Sequence, residues 1–255
     1  MQHNQRPSPH LLPEASPKNV QPQLAIGRGA FAEAIAAATD ELGVEIAASP
    51  DQVLEAQRLR CRSSGEERKF EIGKDGLEQD EFDPASRHVL ARSRRTGAVM
   101  GAVRVVLSDI GQDGFPMRRA CDAELFETLP LISTGEISTF AVARQRLGLS
   151  PAAGALVRLS LIGGLVQVSA QEGLTHWCML TEPVLLRLLQ ATAIHFEPVG
   201  LVVDCDGPRQ LAVCAIGPML KRMRLEQPAM WAYITGNGAF WPEGPTNPMD
   251  SVIAA

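Results

Sequence analysis

Apolar positions in residues 30–42 recur at helical spacing, with Phe31, Ile35, Ala38 and Leu42 on one side and Gly43 where a C-cap glycine would stand. This predicts a short amphipathic helix, followed by a strand over 44–48. Ser49, Pro50 and Gln52 then supply an N-cap, a first-turn proline and a capping-box partner, so a second helix is expected from 50 to about 63. Residues 64–84 are charged and glycine-punctuated without a sustained apolar period, which predicts a surface loop of a length that is uncommon unless functional. Two apolar, β-branched runs, 88–93 and 98–107, flank Arg94-Arg95-Thr96-Gly97 and read as a hairpin. Further strands are expected at 136–143, 175–180, 198–203 and 211–216. Helices are expected at 152–171, from the Thr181 and Pro183 cap to about 193, and at 218–226, and the chain after Trp231 reads as turn-rich. Antiparallel strands with helices interleaved late predict a mixed α/β sandwich rather than a doubly wound parallel sheet.

Composition narrows the choice of class. The 255 residues are 45% apolar and 21% charged, which fits a folded chain, and the formal charge of −5 gives no global pull toward nucleic acid. Residues 1–28, rich in Pro, Gln, Asn and Ser, read as a flexible tail, 29–242 as one domain and 243–255 as a C-terminal tail. The longest apolar stretches, such as 161–170, fall short of the roughly 20 residues of a bilayer span, so no membrane span is expected. The first 20 residues lack the apolar run of a secretory leader. Five cysteines without a C-x-x-C read neither as a disulfide framework nor as a zinc site, and suit a reducing cytoplasm. The five histidines show no ligand spacing, so no metal is expected, and without G-x-S-x-G there is no hydrolase elbow.

Four segments set polar groups in or beside buried elements: 78–83 (EQDEFD), Arg104 within GAVRVVL, 136–140 (EISTF) and 145–150 (QRLGLS). Glu136, in a strand with Ile137, Phe140 and Val142, would be desolvated and therefore a stronger base; the bland alternative is an ion pair with Arg104. Arg104 among valines requires carboxylates close by, and Asp80, Asp83 or Glu136 can supply them. The alternative for Asp80 and Asp83 is a solvated acidic loop. His176 and Cys178 could form a nucleophile pair only if their strand is regular, and nothing orients them.

The strings LRCRSS, GLEQDEFDPASRHVLARSRRTGAVMGAVRVVL and GEISTFAVARQ, within residues 54–145, resemble the autoinducer (acyl-homoserine-lactone) synthases of the GNAT acyltransferase superfamily. HWCMLTEPVLLRLLQATAIHFEPVG, DCDGPRQ and AMWAYITGNG are similar to the related exosortase-associated acyltransferases. The resemblance implies a GNAT-like three-layer α/β/α sandwich around a mixed, mostly antiparallel, splayed sheet. It also implies an N-acyltransferase of the quorum-sensing type that moves a fatty acyl group from acyl carrier protein or acyl-CoA to the amine of an amino acid or S-adenosylmethionine, with no permanently bound cofactor. By the same resemblance Glu136, Arg104, Asp80 and Asp83 are the catalytic network. Arg60 or Arg62, with Phe70, Phe82, Ser138 and Thr139, would line the acceptor site, while Ser63 and Ser64 stand where an aromatic is expected. Thr139 departs from the E-x-S-R-F of synthases that use S-adenosylmethionine. On the donor side, the backbone of Phe140, Ala141 and Val142 would bind pantetheine as an added strand. Arg144, Gln145, Arg146 and Gly148, in a Q-x-x-G-x-G-like turn, would cradle the pyrophosphate at a helix N-terminus. Arg144, Arg146 and Arg158 would form a rim for acidic acyl carrier protein, and helix 156–168 with strand 175–180 would line the acyl chain. The competing class is a non-catalytic relative that binds acyl carrier protein or a lipid, favoured by Thr139 and the altered aromatic positions.

Overall fold

A computed structural model of the chain describes residues 35, 40–64, 76–108, 114–127, 129–143, 151–205 and 207–241. Seven strands form a single sheet in the order β1-β2-β3-β4-β5-β7-β6: β1 Leu42–Ile46, β2 Ser86–Ser93, β3 Val99–Leu107, β4 Thr134–Val142, β5 His176–Thr181, β6 Glu197–Asp204 and β7 Pro208–Ala215. Every neighbouring pair is antiparallel except β4 and β5. The helices are α1 Pro50–Ser64, α2 Pro151–Glu172, α3 Pro183–Ala191, α4 Ile216–Glu226 and α5 Pro228–Thr235.

The register of β4 positions everything that follows. Toward β3 it is paired from Gly135 to Val142, whereas toward β5 the pairing stops after Glu136↔Cys178. From Ile137 onward the sheet is parted, and Glu136 stands at the vertex. On the β3 side, Ala102 faces Ala141 while Arg104 faces Ser138, so β4 carries one extra residue in a β-bulge. Thr139 lies within it at φ 54°, in the left-handed region that a β-branched residue seldom enters. Ala143 N–H donates to the carbonyl of Met100 at 3.0 Å. By strand alternation the Val142 N–H and C=O therefore point away from β3, toward the parted side.

α1 and α2 cover opposite faces of the sheet. α1 crosses β2–β4 with Ala56 and Leu59 against Leu90, Ala102 and Ala141. Its start is fixed as the sequence indicates: Gln52 N–H donates to Ser49 Oγ at 3.3 Å, and Ser49 N–H donates back to Gln52 Oε1 at 3.1 Å. α2 lies across β1–β4 and beside α5, filling the main core with Val157, Leu161, Leu165 and Val166. Its residues Ala153–Glu172, at mean hydropathy 1.5, are long and apolar enough to cross a membrane by length and composition. The expectation of no such run is corrected here. The apolarity has a use in the fold, because α2 is packed on one side by the sheet and on another by α5. Gly101 and Gly164 permit that approach, since a Cβ on either would fall 2.5 Å from Val157 and 2.3 Å from Val89.

Other differences from the sequence reading have local causes. Leu42 and Gly43 belong to β1 and pair with Ser93 and Arg92, so Gly43 is not a helix cap; most of the expected first helix lies outside the described residues. α3 starts after Glu182 rather than on a Thr181 cap, and no side chain caps it. Residues after 226 form α5, closed by Gly236 at φ 57°, where apolar Met230 and Ile234 are drawn into the core. The tails at 1–28 and 243–255 lie outside the described residues.

Candidate functional site

On the α1 face, strand alternation lines up two rows of side chains. His88, Arg104 and Ser138 lie directly opposite one another on β2, β3 and β4; Ser86, Val106, Glu136 and Cys178 form the next row. Glu136 and Arg104 thus share one face beside the parting. The loop 76–82 and the 3₁₀ turn Asp83–Ala85 bring carboxylates over the first row.

Arg104 Nη1 lies 2.6 Å from Asp80 Oδ1 and 3.2 Å from Asp83 Oδ1, and its Nε donates to Ser138 Oγ at 2.9 Å. Arg60, from α1, donates through Nη2 to Asp83 Oδ1 at 3.1 Å and to the Glu78 carbonyl at 2.7 Å. Its Nε has no hydrogen-bond partner and sits 3.6 Å from Glu78 Oε1. Asp83 Oδ2 also accepts from the Asp80 N–H at 3.0 Å, so one carboxylate joins helix, loop and sheet. Burial raises the Asp83 carboxyl, but Arg60, the Asp80 N–H and Arg104 outweigh it and hold it below its ordinary range. Burial likewise lowers Arg104, yet the hydrogen bond and charge of Asp80 more than restore it. Such paired guanidiniums are tolerable in a core because their desolvation is offset by several charge-assisted bonds.

Glu136 is only 4% exposed. Burial pushes its carboxyl up to about 8, with the Met117 N–H and Arg104 acting in the opposite direction. Met117 N–H donates to Oε2 at 3.1 Å from the 3₁₀ turn Pro116–Arg119, while Phe82, Val106, Phe115 and Cys178 form the apolar cluster on this side. The expected alternative of a Glu136–Arg104 ion pair is not what forms: Arg104 is satisfied by Asp80 and Asp83, and it acts on Glu136 only at longer range. The acidic loop is not simply solvated either, since both aspartates are bonded inward.

Of the remaining expected residues, Ser138 and Thr139 join the cluster, the latter through Oγ1 donated to Glu78 Oε1 at 3.2 Å. Arg60 is the arginine of the cluster; Arg62 is exposed and donates to the Arg58 carbonyl one turn back, so its side of the helix is the wrong one. Phe82 is a core residue under the Arg119 guanidinium rather than a lining of the polar cluster. Phe140 and Val142 turn their side chains to the α2-side core and Ala141 to the α1 side, leaving backbone at the parting. Phe70, Arg144, Gln145, Arg146 and Gly148 lie outside the described residues, and Arg158 is exposed on α2.

Two participants went unread in the sequence. Glu78 was seen only as part of an acidic run. His88 is 3% exposed; its Nδ1 lies 3.1 Å from Arg60 Nη1 and its Nε2 3.5 Å from Asp83 Oδ1. Because Arg60 can only donate, Nδ1 must accept, which puts the ring proton on Nε2. Burial, then the neighbouring Arg60, lowers the ring to about 4, so it is neutral near pH 7. Its signal was a histidine two residues before Leu90, on the same face of the strand as that core residue.

Residues 59–147 match the acetyltransferase (GNAT) domain family. Solved structures share the fold at low identity. MesI, a CoA-dependent acyl-homoserine lactone synthase, aligns with TM-score 0.56 and 19% identity over 73% of this chain and 95% of that one. BjaI, a CoA-dependent acyl-homoserine lactone synthase solved with SAM and isopentyl-CoA, aligns at 0.55 and 21% over 73% and 88%. FeeM, an N-acyl amino acid synthase from uncultured soil microbes, aligns at 0.53 and 16% over 73% and 97%. No curated protein matches the chain. The fold is GNAT-like: a mixed, mostly antiparallel sheet between helical layers, parted between β4 and β5.

Proposed function

We propose that the protein is an N-acyltransferase that moves a fatty acyl group from acyl carrier protein or coenzyme A to the amine of an amino acid or S-adenosylmethionine. The observation that carries this reading is the place of Glu136, a carboxyl only 4% exposed at the vertex of a parted sheet, where burial pushes it up to about 8. An amine attacks a thioester only as the free base, and a base poised near the working pH is the group that can take its proton.

The parting offers the donor a strand edge. A pantetheine arm lying along β4 meets the outward N–H and C=O of Val142, and the N–H is suited to the oxyanion that develops on the thioester carbonyl. The acceptor ammonium, held by the carboxylates of Asp80 and Asp83, gives one proton to Glu136 directly or through one water, and that proton leaves to solvent. The amine nitrogen then bonds to the carbonyl carbon, Glu136 takes the second proton that the nitrogen must lose, the C–S bond breaks, and this proton passes from Glu136 to the departing thiolate. With S-adenosylmethionine as acceptor, lactonisation follows and methylthioadenosine leaves. Arg60, Arg104 and His88 hold the carboxylates rather than react. Both donors belong to the cytoplasm, where we place the protein.

The test combines acyl-CoA and acyl-carrier-protein thioesters with a panel of amines and reads amide and free thiol by mass spectrometry. Amide is expected from the native protein, and Glu136→Ala should lower its rate by about 10²-fold or more. Thioester binding without amide from any acceptor would instead favour the non-catalytic binding module, and an undiminished rate in the variant would reduce Glu136 to a structural role.

A further inference from the structure

The segment AMWAYITGNG, residues 229–238, takes no part in the cluster around Glu136. It forms most of α5 and the turn that ends it, packed against α2 on the side of the sheet opposite α1. Ala229, Ala232, Tyr233, Gly236 and Asn237 of this segment line a cavity of about 430 Å³, a size usual for small-molecule sites. Leu42 and Val44 of β1, Ser160 and Gln167 of α2, and Phe240 line it as well. Its polar groups can be assigned by counting hydrogens. Ser160 has one hydroxyl hydrogen and donates it to the Leu156 carbonyl at 2.9 Å. The Tyr233 phenol therefore gives its own hydrogen to Ser160 Oγ at 2.6 Å. Burial raises this phenol above its ordinary range, against the Ser160 hydrogen bond and Arg94, so the hydrogen stays in place at neutral pH. The phenol oxygen is left as an acceptor to which nothing donates among the described residues. The carboxamides of Gln167 and Asn237 likewise make no hydrogen bond among the described residues, and each carries donors and an acceptor. Asn237 stands just past the carbonyl end of α5, at φ 57°. Arg94, also in the lining, is tied through its Nε to the Leu42 carbonyl at 3.0 Å.

We infer that this cavity is a second binding site, and that its ligand is an uncharged amphiphile with an amide head and an aliphatic chain. The amide N–H meets the Tyr233 oxygen, the amide carbonyl meets a carboxamide N–H of Gln167 or Asn237, and the chain lies against Leu42, Val44, Ala232 and Phe240. A carboxylate of the same length brings no hydrogen for the Tyr233 oxygen, which leaves that buried acceptor unmet. It also sets a negative charge at the carbonyl end of α5, where the helix dipole disfavours it. The cavity borders β1, three strands from the parting between β4 and β5, so it is distinct from the cleft at Glu136 and its occupancy does not require acyl transfer there.

Three probes of matched length separate the contributions: octanamide, N,N-dimethyloctanamide, which has no N–H, and octanoate, which has no hydrogen to give and carries a charge. Equilibrium dialysis against the full chain is expected to show octanamide bound, with each of the other two weaker by about tenfold. Tyr233→Phe should weaken octanamide by about tenfold and leave N,N-dimethyloctanamide unchanged, because only the first uses the phenol oxygen. The comparison of the three probes on the native chain stands by itself should that variant fail to fold. Hydrogen–deuterium exchange should show octanamide protecting residues 229–238 while leaving 136–142 unchanged. Octanoate or the dimethyl amide bound as tightly as octanamide, or no binding of octanamide, would overturn the inference. So would protection at 136–142 without protection at 229–238, which would put the amide in the parted sheet.

Discussion

A carboxyl group that titrates near 8 instead of 4.5 costs folding stability, and Glu136 accepts that cost at a strand position only 4% exposed. Between those two values the native state keeps a proton that the unfolded chain has released, so the stability deficit grows as pH rises from 4.5 to 8 and is then constant. Glu136→Gln, which keeps an acceptor for the Met117 N–H, should therefore gain stability relative to the native chain over that window, read as the difference in urea midpoints at pH 5 and pH 8. A difference that does not change with pH would mean the carboxyl is not buried as described. His88 carries the opposite sign. Its ring stays neutral in the folded state down to about 4 while the unfolded ring charges at 6.5, so stability is present above 6.5 and is lost as pH falls toward 4. His88→Gln retains a donor toward Asp83 and should flatten this acid loss. Glu136 also titrates across this range and Asp83 below it, but both are shared by native protein and variant, so the difference between the two chains at pH 7 and at pH 4.5 isolates the imidazole.

Elements with explicit local chemistry were legible in the sequence, and those fixed by distant partners were not. Ser49 and Gln52 form the capping box that their spacing announced, and Ser49→Ala should cost about 1 kcal/mol, measured as a fall in Tm of about 2–4 °C. The hairpin of β2 and β3 closes through Gly97 at φ 71°, a turn its residues specify by themselves. In contrast, whether residues 42–43 ended a helix or began a strand was decided by β2, to which they pair. The same limit applied to the candidate site. Glu136, Arg104, Asp80 and Asp83 were legible because charged residues near a hydrophobic strand demand partners. Choosing Arg60 over Arg62 requires knowing which face of α1 meets the sheet, and the packing of Phe82 against Phe115 and Phe126 is a long-range outcome that its local sequence does not announce. The bulge in β4 is another such outcome. Gly101 lies opposite Val142 beside it, and Gly101→Ala would set a Cβ 2.5 Å from Val157 and 3.3 Å from the Ala141 carbonyl. Overpacking of about 1–3 kcal/mol is expected, read by chemical denaturation; an unchanged midpoint would show that α2 does not press on the sheet there.

At the scale of the whole molecule, the two faces divide the work. The α2 side carries the main apolar core and holds the sheet rigid, and the α1 side gathers the charged groups over the row of His88, Arg104 and Ser138. The parting between β4 and β5 runs between these layers, so an acyl thioester on one side and an amine on the other would meet at Glu136. In the proposed reaction this carboxylate removes the amine's proton. The most direct test is the pH–rate profile of amide formation, kcat/KM against pH from 6 to 9.5, for the native protein and Glu136→Gln with the same amine and thioester. Predicted is a rise in the native profile through an apparent pKa near 8 that disappears in the variant, whose rate follows only the ionisation of the amine. Superimposable profiles of equal height would contradict it.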